Sequence, residues 1–434
     1  MDQVKVRAGE YIRVEGPAMI EVASGKVYLL GAVYESGSRF TILRARRVVA
    51  KVLEDSVLNI VLGPQGFIDK PRPGEEVVDE WDSKLPKDIK GGLIVILGGM
   101  DSGKTTVTTM LANKASLMNM KVGVIDADPG QNDIGPPASI SCSILLGSRI
   151  THLSQLSPIR QVFLGYTSLE GNWQRAVEAI RKLVDYLRNA EKADVILVNT
   201  DGWVDGEEAV KYKLTLVKAL EPTHVIVMRK GGEVDEIIKG ASGLNVIVLN
   251  APPILRVRNR SDRKVHRDMG YGRYLSPSRD VTFNMSEVPI VNMPISPSPL
   301  DPRVAKLILN YLRVRAQAVS YRGNVVTVVT QDAQEPSIRP IPGGYALILP
   351  QDWERGLLVG LEDSEGFLVS LAALKKVDLR NGRIVVSVPR SLASRQISEV
   401  RGIRVGSIRL GEDYSEVGKF SILTRVERIL HASG

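Results

Sequence analysis

The sequence predicts an α/β chain, with a central doubly wound, mostly parallel sheet built around a P-loop and flanked by N-terminal and C-terminal β-rich domains. Three observations carry this reading. Short continuous apolar runs alternate with helix-period segments across residues 86–310. A glycine-rich phosphate-binding signature joins the first of those runs to the first helix. On either side, over 1–85 and 311–434, the pattern changes to short, alternating segments broken by turn residues.

The N-terminal stretch VRAGEYIRVEGPAMIEVASGKVYLLGAVYESG carries a Gly- or Pro-bearing turn every several residues. That is the signature of a small antiparallel β domain. PRPGEEVVDEWDSKLPKDIKGG follows, and its prolines, glycines and charges read as a linker. From LIVILGG onward the texture changes to strands buried on both faces, with VGVIDAD, DVILVNT, HVIVMR and NVIVLN repeating it. Between them KTTVTTMLANKASLMNM, RAVEAIRKLVDYLRNAE and EAVKYKLTLVKALEP have helical spacing. Past residue 311 the alternation stops, and NVVTVVT, GYALILP, GRIVVSVP and IRVGSIRL predict a second β domain.

Gly98-Gly-Met-Asp101-Ser102-Gly103-Lys104-Thr105 fits G-x-x-x-x-G-K-[ST], with a buried strand before it and a helix after it. Glycines let backbone N–H groups close around phosphate oxygens at a helix N-terminus that already favours anions. Lys104 is expected to reach the β- and γ-phosphates of ATP. The Thr105 hydroxyl is expected to hold Mg²⁺, with Thr106 beside it. Asp126-Ala-Asp128-Pro-Gly-Gln131 sits where the second buried strand ends, facing the phosphate site across the top of a parallel sheet. Two carboxylates at this spacing can divide the work. One can hold the metal or its water shell, and the other can accept a proton from an attacking hydroxyl. The strand in the usual Walker-B place, DVILVNT, ends in Asn199 instead of Asp, which moves the weight onto Asp126 and Asp128.

Composition narrows the classes. The chain has 434 residues and a net charge of +8, with a pI of about 9.4, so an anionic partner is expected. Cys142 is the one cysteine, and the four histidines are scattered, which leaves no thiolate zinc set and no disulfide framework. No apolar run reaches the roughly 18–20 residues that span a bilayer, and MDQVKVRAGEY has no apolar signal core. A cytoplasmic protein is expected.

The order of four motifs resembles the polynucleotide 5′-hydroxyl kinases, the family of the mRNA cleavage factor kinase subunit, the nucleolar pre-rRNA kinase and archaeal relatives. These are the P-loop, D-x-D-x-G-Q, T-x-G-W at Thr200-Asp-Gly202-Trp203, and R-x-x-x-R at Arg263 to Arg267. The resemblance covers nearly the whole chain and implies an ATP- and Mg²⁺-dependent kinase acting on the 5′-hydroxyl ends of RNA, with DNA as a further candidate. It implies that Thr200, Gly202 and Trp203 form a clasp on the P-loop lysine, and that Arg263 and Arg267 form a lid over the phosphates. Arginines at 256, 258, 260 and 273 permit other lid registers. It further implies that Thr167 and Ser168, within Gly165-Tyr-Thr-Ser, line the substrate groove. Trp173 is then a candidate for stacking on the terminal base, and Gln131 for orienting the acceptor strand. Within this reading Asp126 is assigned as the base and Asp128 as the metal-side carboxylate, two roles open to exchange.

Two other readings compete. A dimeric P-loop ATPase of the partitioning or targeting type shares the acidic strand end. Such proteins carry an extra early lysine in the P-loop, where Gly99, Met100 and Asp101 supply none. A catalytically inactive ATP-binding subunit of an RNA-processing complex would keep the fold but transfer nothing.

Overall fold

The computed structural model describes residues 2–44, 46–86, 89, 91–253, 259–296, 300–379, 381–422 and 426. The chain divides into two compact units. One comprises Met1–Gly135, Ser139–Gln161 and Thr167–Arg263, and the other Pro136–Ala138, Val162–Tyr166 and Lys264–Gly434.

The first unit opens with an antiparallel seven-stranded sheet. Its long strands Ala18–Leu29 and Arg47–Leu62 pair centrally, and Tyr11–Glu15 lies beside the latter. Alternate residues such as Ile20, Val22, Leu58 and Ile60 are buried, as period-2 patterning requires. The central sheet runs Arg160–Phe163, Ser139–Leu145, Val122–Ala127, Val195–Thr200, Gly92–Gly98, His224–Arg229 and Val246–Asn250. The last five strands are parallel, and Ser139–Leu145 pairs antiparallel to Val122–Ala127. The expected mostly parallel sheet is therefore present. Ile94, Ile96, Val124 and Leu197 pack with Val107, Leu111 and Ala115 of the helix Lys104–Leu117 on one face. On the other face the helix Trp173–Asn189 comes so close that a Cβ on Gly123 would stand 2.8 Å from Leu187.

The segment read as a linker holds the helix Val78–Lys84. Its Trp81 is buried in the central core and donates Nε1–H to the Asn250 carbonyl at 2.8 Å. Leu85 and Ile89 of the same segment join Trp81 in that core, so a stretch whose composition looked like a tether is packed against the central sheet.

The second unit carries a seven-stranded sheet and a four-stranded one. The larger includes Ser278–Asn284, paired antiparallel to Arg383–Pro389, and Ile290–Val291, paired parallel to Gly402–Leu410. This C-terminal sheet thus begins at Ser278, ahead of the boundary at 310/311 that the change of texture suggested.

Candidate active site

The strand Gly92–Gly98 delivers the chain to a loop that needs unusual backbone angles. Gly98 has φ 148°, Asp101 φ 54° and Gly103 φ 101°, the region where glycine is favoured. Gly103 has a second constraint, since a Cβ there would stand 2.8 Å from the Trp81 ring. Gly103 also caps the helix Lys104–Leu117 without any side-chain cap bond. The first helical N–H groups therefore remain available to an anion. The Ser102 hydroxyl is fully buried and has no hydrogen-bond partner among the described residues, and Thr105 and Thr106 are half-buried in the first helical turn.

Lys104 is buried, and its Nζ donates to the carbonyls of Gly98 at 2.9 Å and Gly99 at 2.7 Å. An ammonium has three protons, so one is left for a further acceptor. Burial, and then the Lys213 ammonium, draw its pKa down to about 8, against the pull of Asp128, Asp201 and Asp101.

The two aspartates of the acidic strand end differ in depth. Asp126 is wholly buried. Its Oδ2 accepts the Asp133 backbone N–H at 2.7 Å and its Oδ1 accepts Asn199 Nδ2 at 3.2 Å. Asn199 Nδ2 also lies 3.4 Å from Thr105 Oγ1, while Asn199 Oδ1 is buried without a partner among the described residues. Burial and the neighbouring Asp133 carboxylate push the Asp126 carboxyl well above the usual range. Asp128 is half-buried, and its Oδ1 accepts the N–H groups of Gly130 at 2.9 Å and Gln131 at 3.1 Å. Burial and Asp201 raise its pKa, while Lys104 opposes the shift.

The T-x-G-W segment leans on the P-loop through its glycine. A Cβ on Gly202 would stand 2.8 Å from Met100 Cα and 2.9 Å from Met100 N, so only glycine fits. Thr200 Oγ1 donates to the Ile96 carbonyl at 2.8 Å, beside the strand that feeds the loop. Asp201, the variable position of the motif, gathers the Trp203 N–H at 2.9 Å, the Tyr212 hydroxyl at 2.8 Å and Lys213 Nζ at 2.7 Å. Trp203 stacks on Tyr212 with centroids 6.0 Å apart. Trp173 tilts against the same ring at 5.8 Å and donates Nε1–H to Glu208 at 3.2 Å. Only 6% of Trp173 is exposed, so its ring belongs to the core and offers no open face to a base.

The acidic loop meets two other predicted segments. A Cβ on Gly130 would stand 2.8 Å from the Thr167 carbonyl, so the turn bearing half-buried Thr167 abuts this loop, with exposed Ser168 following. Gln131 Nε2 donates to the Arg263 carbonyl at 3.2 Å. Arg263 lies in the helix Arg260–Leu275 and donates to the P-loop residue Asp101 at 2.8 Å. Arg267, one turn later, is engaged elsewhere and is paired with Glu416 at 2.8 Å within the second unit. Arg256 and Arg258 lie outside the described residues.

Sequence reasoning missed Lys213, Tyr212, Asp133 and Arg46. Lys213 left one signal, a lysine on the apolar face that buries Leu216 and Val217. Asp133 and Arg46 left none, because neither sits in a periodic or spaced pattern.

The family model for the mRNA cleavage and polyadenylation factor CLP1 P-loop matches residues 98–276. A polyribonucleotide 5′-hydroxyl-kinase of Thermococcus kodakarensis is 30% identical over 332 residues, covering 75% of this chain and 90% of the relative. One from Pyrococcus horikoshii is 28% identical over 333 residues, covering 76% and 89%. Among solved structures, that of a wild-type Clp1p–Pcf11p complex superposes with a TM-score of 0.59 at 12% identity, covering 94% of this chain and 97% of that one. This last likeness bears on the fold alone.

Proposed function

This chain belongs to the polyribonucleotide 5′-hydroxyl-kinase family, and from that premise we propose that it transfers the γ-phosphate of ATP to the 5′-hydroxyl end of RNA, and of DNA as a second acceptor. The observation that carries the reading is the meeting of one loop with two carboxylates of unlike depth. Thr105 touches Asn199 and through it Asp126, while the half-buried Asp128 stands in the field of Lys104. The kinase names of the relatives favour neither the partitioning-type ATPase nor the inactive subunit.

In the proposed reaction the P-loop N–H groups and the third proton of Lys104 hold the β- and γ-phosphates. The carboxylates take roles opposite to those first assigned from sequence. Asp126, joined through Asn199 to Thr105 and with both oxygens accepting N–H groups, is assigned to the metal side. Asp128 uses only Oδ1 in hydrogen bonds among the described residues. Its Oδ2 is left for the hydroxyl proton, and its raised pKa suits a base. The oxygen donors Thr105 Oγ1 and Asp126, joined through Asn199 Nδ2, suit a hard cation. Bound Mg²⁺ would neutralise charge across the β- and γ-phosphates. Arg263, tied to Asp101, is the proposed lid arginine, and Arg267 anchors its helix through Glu416. Gln131, Thr167 and Ser168 border the acceptor, and Thr200, Gly202 and Trp203 clasp the loop. Among the described residues no helix is long and apolar enough to cross a membrane, and a cytoplasmic location is part of the proposal.

The test is transfer of labelled γ-phosphate to RNA and DNA oligonucleotides of equal sequence, with 5′-phosphorylated versions as blocked controls. Label on the 5′-hydroxyl RNA alone, or on both 5′-hydroxyl strands, supports the reading. Equal label on blocked strands, or phosphate released to water with none transferred, would end it.

A further inference from the structure

The N-terminal sheet has had no part in the chemistry so far, yet one of its residues reaches the acidic strand end. Arg46 lies between the strands Arg39–Ile42 and Arg47–Leu62. Its own backbone is fixed on both sides. The N–H donates to the Leu43 carbonyl at 3.1 Å, and the carbonyl accepts the Gly16 N–H at 2.9 Å. From that anchored position one guanidinium nitrogen donates to both carboxylate oxygens of Asp133, at 2.7 and 2.8 Å. The Asp133 side chain is 5% exposed and that of Arg46 19%.

Asp133 faces two ways. Its carboxylate takes Arg46 and lies 3.4 Å from His152 Nε2. The His152 Nδ1 accepts the Ser154 N–H at 3.1 Å, which puts the ring proton on Nε2, toward Asp133. Its backbone N–H donates to Asp126 Oδ2 at 2.7 Å. The far side of this loop is tied by Asn132, whose side chain bonds the N–H groups of Ile134 and Gly135 and the Ser139 carbonyl. The near side, where Asp126 is held, is tied through Asp133. A buried charged hydrogen bond that one guanidinium nitrogen makes to both oxygens is directional as well as charged, so it fixes the position of the peptide that carries the N–H.

We infer that Arg46 is a positioning residue for phosphoryl transfer: by holding Asp133 it aims the Asp133 N–H at Asp126 and so sets the metal-side carboxylate against Thr105. The inference rests on the kinase reading of the site. It gives the N-terminal β domain a share in the active site, 80 residues upstream of Asp126 in the chain.

The experiment compares the full chain with Arg46→Ala, Arg46→Lys and the double variant Arg46→Ala/Asp133→Asn. It measures kcat and KM for a 5′-hydroxyl RNA, magnesium-dependent ATP affinity by calorimetry, amide exchange over 126–135, and Tm. Displacement of a catalytic group by about 1 Å costs on the order of 10²-fold, so Arg46→Ala is expected to lose kcat on that scale while KM for the oligonucleotide holds. Exchange at Asp133 should quicken and the magnesium dependence of ATP binding should weaken. Lysine should rescue only in part, because its shorter, flexible stem carries the charge without the fixed orientation of the planar guanidinium. The double variant also neutralises the buried carboxyl that has lost Arg46 and so protects folding, yet it lacks the tether and should stay slow. Recovery of kcat in the double variant would overturn the inference, as would a loss confined to Tm. If wild-type protein transfers nothing to RNA, the kinase reading falls, and the exchange and calorimetry still decide whether Arg46 holds this loop.

Discussion

At the scale of single residues, two aspartates that share one motif differ in depth. Asp128→Asn removes the proposed proton acceptor, and a general base contributes about 10²–10⁴ in rate. Its kcat is expected to fall by that factor with magnesium-ATP affinity kept. Asp126→Asn retains an acceptor for the Asp133 N–H, so the loop should hold, but ATP binding should need more magnesium and turnover should partly return when it is supplied. The reverse pattern, with Asp126→Asn slow at every magnesium concentration, would return the base role to Asp126. The motif and its spacing were legible in the sequence because a parallel strand end fixes where D-x-D must lie. The proposed division of labour was not, because it rests on Asn199, Asp133 and the surface left to each carboxyl. Cys142 offers a separate check on the core. It is fully buried in the strand Ser139–Leu145, and burial pushes its thiol up to about 12. The unfolded thiol titrates near 8.5, so the folded state disfavours the thiolate, the nucleophilic form. At pH 8 the native protein should resist iodoacetamide, and labelling should track unfolding in denaturant. Rapid labelling of native protein would show that this strand opens locally.

At the scale of elements, the helix Arg260–Leu275 separates two arginines that share one face by spacing alone. Residues four apart lie one above the other, which is what made Arg263 and Arg267 look like a pair. Their partners differ: Arg263 bonds Asp101 of the P-loop, and Arg267 bonds Glu416. Removing one preorganised charge donor from a developing anion costs about 10²–10³ in kcat, and that is the loss expected for Arg263→Ala, with Tm nearly unchanged. Lysine at 263 should rescue poorly, since it lacks the planar fork. Arg267→Ala should instead lower Tm, because Glu416 is left buried and unpaired with its side chain 9% exposed. Equal losses of kcat in both variants at unchanged Tm would restore the two-arginine lid. The T-x-G-W segment shows the same limit of sequence reading. Thr200, Gly202 and Trp203 were visible as a motif, but Asp201, which collects Lys213, Tyr212 and the Trp203 N–H, occupied the variable position.

At the scale of the whole molecule, alternation and composition said more than single residues did. Apolar runs alternating with helical periods gave the central sheet and its order of elements, because a strand buried on both faces has little choice of composition. They misjudged the reach of the C-terminal sheet, whose first strand, Ser278–Asn284, carries Arg279, Asp280, Thr282 and Asn284 and buries only Phe283. The basic balance of +8 leads to the last prediction, which concerns how the chain takes its acceptor. Binding to a single strand releases counterions, so log affinity falls with log salt by about 0.7 for each phosphate neutralised. KM for an RNA oligonucleotide should therefore rise steeply between low and physiological salt, while kcat at saturation stays level, because the phosphates being transferred lie in the P-loop and not along the strand. RNA and DNA of one sequence carry the same backbone charge, so their slopes should agree. Any preference between them should appear as a constant offset in KM, since the 2′-hydroxyl contributes hydrogen bonds and shape without charge. Lengthening the acceptor by one nucleotide at a time should steepen the slope until the basic surface is filled, and then leave it fixed. A KM that ignores salt at every length would mean the acceptor is held by its terminal nucleoside alone, and the excess of positive charge would then have no part in substrate binding.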